Sequence, residues 1–338
     1  MYLVTGGAGF AGLYLAEKLA ELGHKVRILD MRPPNRKLHK NIQFFQGSVT
    51  DAQRMMEACK GVTVAFNLAS LLPCSRAKRQ FWDVNVGGTI NILEAALKHK
   101  VKKIVHVSSS IVYGIPPSVY VTEKDAAIPI GDYGKSKLAA EKECMKYMQK
   151  GLKITILRPR MIIGAGRVGL LTILFDWIKH NKNVYTIGKG NNRFQMLGVY
   201  DFVDACIKAI SKGHNQVFNI GAGNVPTVRE MLQTLVRHAG KRSKVIGTNA
   251  FLVRNTLRLF DVFKLTPLNI EHYMIADHDY VLDISKARKL LEWKPKTTNQ
   301  QMMQQAYDWY VTHEEELRKD LKSDLPAQGL LKLLRAVS

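Results

Sequence analysis

Thr5-Gly6-Gly7-Ala8-Gly9-Phe10-Ala11-Gly12 follows a short apolar run, Tyr2 to Thr5, and opens a segment of helical period. The stretch satisfies both a GxxGxxG and a GxGxxG spacing. At a strand–helix junction glycine lets the chain turn tightly, lets a pyrophosphate approach the backbone and seats the helix close on the strand. The unpaired N–H groups of the helix N-terminus then face the anion. Alone such a motif is weak, but Asp30 at the end of the next strand strengthens it. A carboxylate there accepts hydrogen bonds from both ribose hydroxyls of an adenosine and repels a 2′-phosphate, so NAD is favoured. Arg32, Arg36 and Lys37, just behind Asp30, keep NADP open.

Outward from this junction, the first two thirds of the chain alternate β-branched runs with segments of helical period, the pattern of a parallel sheet covered on both faces. Strands are expected at 2–5, 25–30, 42–46, 63–67, 103–108 and 153–157, and helices at 10–22, 52–60, 81–99 and 132–149. Gly23, Gly61 and Gly151 stand where left-handed helix caps belong. Past about residue 160 the alternation gives way to helices near 168–180, 200–212, 227–239 and 299–317. The fold class is therefore α/β: a Rossmann-type doubly wound parallel sheet with a smaller mixed α/β C-terminal substrate lobe. The expected boundaries are 1–160 for the NAD(P)-binding domain, with strand and helix returns around 194–220, then 161–318 for the substrate lobe and 319–338 for a tail.

With 46% hydrophobic and 23% charged residues among 338, the chain can bury a large core. No run reaches the roughly 18 apolar residues of a membrane span, and the chain opens on a strand-like segment, not a leader, which points to the cytoplasm. Peripheral membrane contact stays open through two apolar segments, residues 249–265 and the terminal LLKLLRAV. Cys59, Cys74, Cys144 and Cys206 lie far apart without metal-ligand spacing, so they read as reduced thiols and no metal is expected. The net charge of +22 gathers in clusters such as Lys98, Lys100, Lys102 and Lys103. Such a field attracts anions. With no nucleic-acid fold signature beside it, it reads as a solvated basic surface and no specific nucleic-acid partner is expected.

The catalytic candidates lie in GDYGKSK. Tyr133 and Lys137 stand four residues apart, on one face of a helix. A phenol is a poor base near neutrality unless a cation beside it favours phenolate, and Lys137 supplies that charge. Ser108, Ser109 and Ser110 end the fifth strand, where doubly wound sheets carry ligands. A hydroxyl there can bond a substrate oxygen while Tyr133 moves its proton and a nicotinamide exchanges hydride at carbon.

With TGGAGFAG, DVNVGGTINILEAA, VSSSIVYG, YGKSK, LRPRMIIGAG, VYDFVDA, FNIGAGN and DISKARKLLEWKP, the chain resembles an extended short-chain dehydrogenase/reductase. This is the epimerase/dehydratase family, which includes nucleotide-sugar epimerases and the 3β-hydroxysteroid dehydrogenase group. The resemblance covers residues 1 to about 312. It implies Ser109 as catalytic hydroxyl, Tyr133 as acid/base, Lys137 holding the nicotinamide ribose, and Asn85 ordering the site. Gly6, Gly9, Phe10, Ala11, Gly12, Asp30, Leu68, Ala69 and Ser70 would hold the dinucleotide, and Ser110, Arg160 and Arg193 the substrate. It also implies a homodimer through the helices at 81–99 and 132–149.

Departures narrow the chemistry. Ser48 and Val49 replace an acidic reader of the adenine amine, and Asn67 a frequent histidine. Ser110 and Ile111 supply no carboxylate where dehydratases and decarboxylases carry one, so both reactions are set aside. Phe194 and Gln195 replace an Arg-Asp pair of sugar-nucleotide enzymes, leaving Arg193 to meet a diphosphate. The expected function is thus net oxidation or reduction at a secondary alcohol or ketone of a small, anionic or hydrophobic substrate. The alternatives are a UDP- or dTDP-hexose 4-epimerase and a non-catalytic NAD(P)-binding sensor or assembly subunit.

Overall fold

Seven parallel strands form the central sheet: β1 (Tyr2–Thr5), β2 (Val26–Asp30), β3 (Ile42–Gln46), β4 (Val64–Asn67), β5 (Lys103–Val107), β6 (Ile154–Pro159) and β7 (Gln216–Ile220), in the order β7-β6-β5-β4-β1-β2-β3. The structure is a computed structural model that describes residues 1–34, 36–71, 78–115, 118–166, 171–262 and 270–324. The order reverses between β1 and β4, and a crevice opens there at the carboxyl ends of the strands.

Both faces of the sheet are covered, which is why its strands read as continuous apolar runs instead of alternating ones. Along β1, Leu3 joins one core with Leu29, Ala65 and Ile104, while its neighbour Val4 joins the other with Ile28, Phe66 and Val105. Helices α1 (Phe10–Glu21), α2 (Ala52–Ala58), α3 (Gly88–Lys98) and α4 (Asp132–Gln149) supply much of the cover, and α1, α2 and α4 end on Gly23, Gly61 and Gly151 with φ of 86°, 72° and 94°. The Lys78–Phe81 helix leads into a π-helical stretch, Trp82–Gly87, before α3 begins. Helical periodicity does not distinguish this stretch from a plain helix, yet it carries Asn85, and π-turns recur at functional sites.

The later chain contributes α5 (Leu171–Lys179), α6 (Val199–Ser211), α7 (Val228–His238), α8 (Ala250–Val262) and α9 (Asn299–Asp324). It returns to the first core: Phe202 on α6 and Phe218 on β7 pack there, as does Trp293. A further core gathers Phe175, Met231, Leu235, Met303 and Tyr307 around α5, α7 and α9. Met55, Met302 and Met303 are buried filler, as expected of a flexible apolar side chain. No helix among the described residues is long and apolar enough to cross a membrane. Cys59, Cys144 and Cys206 are buried free thiols, with Cys59 pushed up to about 12 by burial. Cys74 and the terminal LLKLLRAV lie outside the described residues.

One buried ion pair ties the layers. Glu141 on α4, with no exposed surface, accepts from Arg158 on β6 through both oxygens, at 2.9 and 2.6 Å, and from the Ser108 hydroxyl. Arg158 also donates to the Tyr113 hydroxyl at 2.8 Å. Removing one member of such a pair strands a desolvated charge, a loss of about 3–5 kcal/mol, whereas replacing both by apolar groups is often neutral. Arg158→Met should therefore lower unfolding free energy by roughly that amount, and Glu141→Leu with Arg158→Met should recover most of it. Urea denaturation decides, and additive losses contradict the account.

Gly12 is the tightest point of the first junction. A Cβ there would stand 2.2 Å from the Gly6 carbonyl oxygen and 2.8 Å from Gly7 Cα. Gly12→Ala should push α1 off the loop, lower Tm by several degrees for a loss of about 1–3 kcal/mol, and weaken NADH binding tenfold or more in a fluorescence titration. An unchanged NADH affinity contradicts the assignment of this loop.

Candidate active site

The glycine loop forms one end of a cleft of about 620 Å³. Gly6 adopts φ +65°, and a Cβ there would stand 2.9 Å from Ala69 Cα, so this turn and this approach both require glycine. Gly9 is the N-cap of α1 and no side-chain hydrogen bond caps it, so the positive end of α1 stands at the cleft that Gly9, Phe10, Ala11 and Gly12 line. Asp30 accepts from Ala8 N at 3.0 Å and Met31 N at 2.8 Å, locking the loop against the end of β2. Phe10, Ala11, Ser48, Val49, Leu68, Ala69 and Ser70 line the same cleft. A backbone cradle with no room for Cβ atoms, a helix N-terminus and a carboxylate at ribose distance in sequence suit a dinucleotide.

The other end holds Ser109, Ser110, Tyr133, Lys137 and Arg160. The three adjacent serines are distinguished by their partners. Ser108 donates to Glu141, and Ser110 accepts from Arg160 Nη1 at 3.1 Å. The half-buried Ser109 accepts only a long 3.3 Å bond from Ile111 N among the bonds the structure gives it, so its hydroxyl is the one available to a ligand. Tyr133 packs edge-on against Phe81, ring centres 5.8 Å apart. Lys137 is buried, and its Nζ donates to the Val107 carbonyl at 2.6 Å. Burial pulls Lys137 down to about 8, against the pull of Glu141, which favours the cation.

Asn85 does not line the cleft but stands behind it and organises it. Its Oδ1 accepts from Ser70 Oγ at 3.0 Å and Leu71 N at 3.3 Å, and its Nδ2 donates to Ser136 Oγ at 2.9 Å, joining the loop after β4 to the helix of Tyr133. Asn67 serves the core in the same way: it accepts from Thr5 Oγ1 at 2.9 Å, donates to Thr89 Oγ1 at 3.1 Å and contacts His106 Nδ1 at 3.1 Å. Burial, reinforced by Lys137, holds His106 well below its usual range and therefore neutral.

Arg193 also stands outside the cleft lining. It is exposed, its backbone N–H donates to Asp279 at 2.7 Å, and it is not among the residues lining the cleft. Arg160 is present where it was expected, but the manner of its burial was not legible. Its guanidinium lies 4.0 Å from the Tyr280 ring centre and 4.6 Å from that of Phe194, donates to Gln195 O, and keeps Nη2 buried without a partner among the described residues. Burial lowers it to about 10.

Sequence reasoning missed Glu271. It is buried, lines the cleft, and accepts from Gly134 N at 2.8 Å and from Gly131, at the start of α4. Cβ atoms on Gly131 and Gly134 would stand 2.6 and 3.3 Å from its Oε1, so the glycines of GDYGK make room for a remote carboxylate capping the helix of Tyr133. Burial raises its pKa. No local signal marks a residue 137 positions away. Among the described residues, no group of three or more His, Cys, Asp or Glu is placed to hold a metal ion.

Comparison with known proteins gives this geometry its setting. The pattern described as "NAD dependent epimerase/dehydratase family" matches residues 2–221. The chain is 36% identical over 318 residues to the uncharacterized protein y4nG of Sinorhizobium fredii, covering 94% of this chain and 80% of that protein. It is 30% identical to a putative UDP-glucose 4-epimerase of Methanocaldococcus jannaschii, covering 91% and 98%. The crystal structure of the UDP-glucose 4-epimerase of Thermotoga maritima with UDP-glucose superposes with a TM-score of 0.77 at 25% identity, covering 93% of this chain and 99% of the other. The chain belongs to the NAD dependent epimerase/dehydratase family.

Proposed function

We propose that the chain catalyses NAD-dependent hydride transfer at a secondary carbinol carbon, and that Ser109, Tyr133 and Lys137 carry it. The observation behind this reading is that all three meet in the cleft that begins at the glycine loop. Tyr133 takes the hydroxyl proton as the carbon gives up hydride, and Ser109 bonds the oxygen as it becomes a carbonyl. Lys137, charged below about 8, favours the phenolate and holds the ribose side of the cofactor. When bound, NAD supplies the hydride acceptor. Ser110 and Arg160, with its unpartnered Nη2, face the substrate.

Two outcomes share these steps. In epimerisation the hydride returns to the opposite face of the same molecule; in net oxidation the ketone leaves. The family pattern and the epimerases among the relatives support the first better than the second, so the nucleotide-sugar 4-epimerase alternative outweighs the net oxidation expected from sequence. Net oxidation of a hydrophobic alcohol is the second reading, favoured by an apolar chamber that shares Met161, Phe194 and Ile275 with the cleft.

An epimerase keeps its dinucleotide, because hydride must return to the same substrate. The purified protein should therefore carry NAD through gel filtration, detectable by absorbance after acid release, and Tyr133→Phe should keep the NAD while losing at least about a hundredfold in turnover. Cofactor-free protein with ketone-dependent NADH oxidation supports the second reading instead, and full turnover by Tyr133→Phe contradicts both.

The pH response has two opposed parts. Lys137 loses its charge as pH rises through about 8, so kcat/KM should fall there, and Lys137→Arg, whose guanidinium stays charged, should lack this limb. Because the folded value lies below the ordinary 10.5, the unfolded chain binds more protons between about 8 and 10.5, so this group's contribution to stability rises with pH across the same window. Parallel kinetic and urea-denaturation series check both signs.

A further inference from the structure

Beside the hydride cleft lies a second cavity of about 710 Å³, within the range of pockets that enclose drug-sized molecules. It is walled by α5, the Val184–Thr186 strand, α7 and α8. Met161, Phe194 and Ile275 line both spaces, so the two adjoin across these side chains. None of the described residues lining it is charged, and its polar side chains are limited to Tyr185, Thr186, Thr256 and the indole of Trp177. Arg254, on α8, is not a lining residue, and its Nη1 donates to both Asp277 carboxylate oxygens at 2.9 Å.

We propose that this chamber holds an apolar body of the substrate, a hydrocarbon chain or ring system, in place of a nucleoside diphosphate. The inference rests on the reading of the Tyr133 cleft as the hydride site and takes its second outcome, oxidation of a hydrophobic alcohol, against the nucleotide-sugar outcome that the relatives favour; it names what the non-reacting part of the substrate is made of. A diphosphate brings charges that need cations or dense hydrogen bonding once desolvated. The described residues of the lining offer neither. Phe194 and Gln195 stand where the family resemblance leads one to expect Arg-Asp, and Phe194 forms wall instead of anion contact. Arg193, next to them, is exposed and lines neither cavity. An apolar wall gains from excluding water in proportion to the area a hydrocarbon covers.

Helix α8 supplies the most exposed apolar side chain named in the wall. It turns Val253, Leu257 and Phe260 into the wall and carries Leu252 at the rim, 61% exposed, while Phe251 beside it is 68% exposed. Leu252 and Thr256 can therefore be changed without disturbing the core.

Trp177 in the wall provides the readout. A dibrominated long-chain alcohol should quench the tryptophan fluorescence of the purified full-length protein saturably. Trp177→Phe should lose that quenching, and Leu252→Asp and Thr256→Lys should weaken it tenfold or more with NADH affinity held within twofold. Excess UDP-glucose should not displace the probe. Displacement by UDP-glucose, no saturable quenching, or quenching unaltered in Trp177→Phe or in both rim variants overturns the proposal. The assay needs no turnover, so it separates the two readings: quenching that persists while Tyr133→Phe retains full activity sinks the hydride assignment alone. Absent quenching in a protein whose turnover needs Tyr133 sinks the chamber alone.

Discussion

Glu141 sits one helical turn beyond Lys137 and two beyond Tyr133, and its buried carboxylate is the point to which the geometry of the candidate site is anchored. Arg158 grips it from β6, Ser108 bonds it from the end of β5, and through Arg158 the network reaches Tyr113 and Asn219. α4 is thereby fixed in rotation and in height against the two strands whose carboxyl ends form the cleft. Burying two charges gains little net free energy, because desolvation offsets the attraction. What the pair supplies is position: any slip of α4 would separate Glu141 from a guanidinium that cannot be discharged, so Tyr133 and Lys137 are held in register with Ser109.

The first half of this design was legible because backbone constraints leave marks in local sequence. Glycines at Gly6 and Gly12 mean no room for Cβ, Asp30 marks the end of β2 at the cleft, and the four-residue step from Tyr133 to Lys137 means one helix face. Strands buried on both sides could be placed within a residue or two, since their apolar runs stop where the sheet stops. The structure puts β6 at 154–159, two residues past its expected end at Leu157, since β7 and Pro159 continue the pairing there.

What stayed hidden is long-range. Glu141 looks like any solvated residue in KLAAEKE until Arg158 is known to cross behind it, and Glu271 caps α4 from 137 residues away. The π-helical stretch before α3 is invisible to periodicity, yet it directs Asn85 at Ser70 and Ser136. Arg193 stands apart for a related reason. Proximity to the motif in sequence suggested the site, whereas Arg193 pairs through its backbone with Thr227 and is exposed, and Phe194 beside it lines the cleft.

Perturbed lysines alone would have misplaced the chemistry. Burial lowers Lys103 to about 7, further than Lys137, but Lys103 starts β5 and meets His214 and Thr155 at the amino ends of the strands, opposite the cleft. A desolvated cation is functional only where a reacting group can use its charge. Lys137 differs because it lines the cleft together with Tyr133, one helical turn before it, in the same dry surroundings that hold His106 neutral. The apolar chamber next door extends that low-dielectric region. A substrate whose far end is hydrocarbon would complete the exclusion of water from the phenol, whereas a diphosphate would bring water and counterions to within one side chain, Met161 or Phe194, of the reacting carbon. On this argument the lack of charge among the described residues of the second cavity and the activation proposed for Tyr133 in the first are two parts of one electrostatic arrangement.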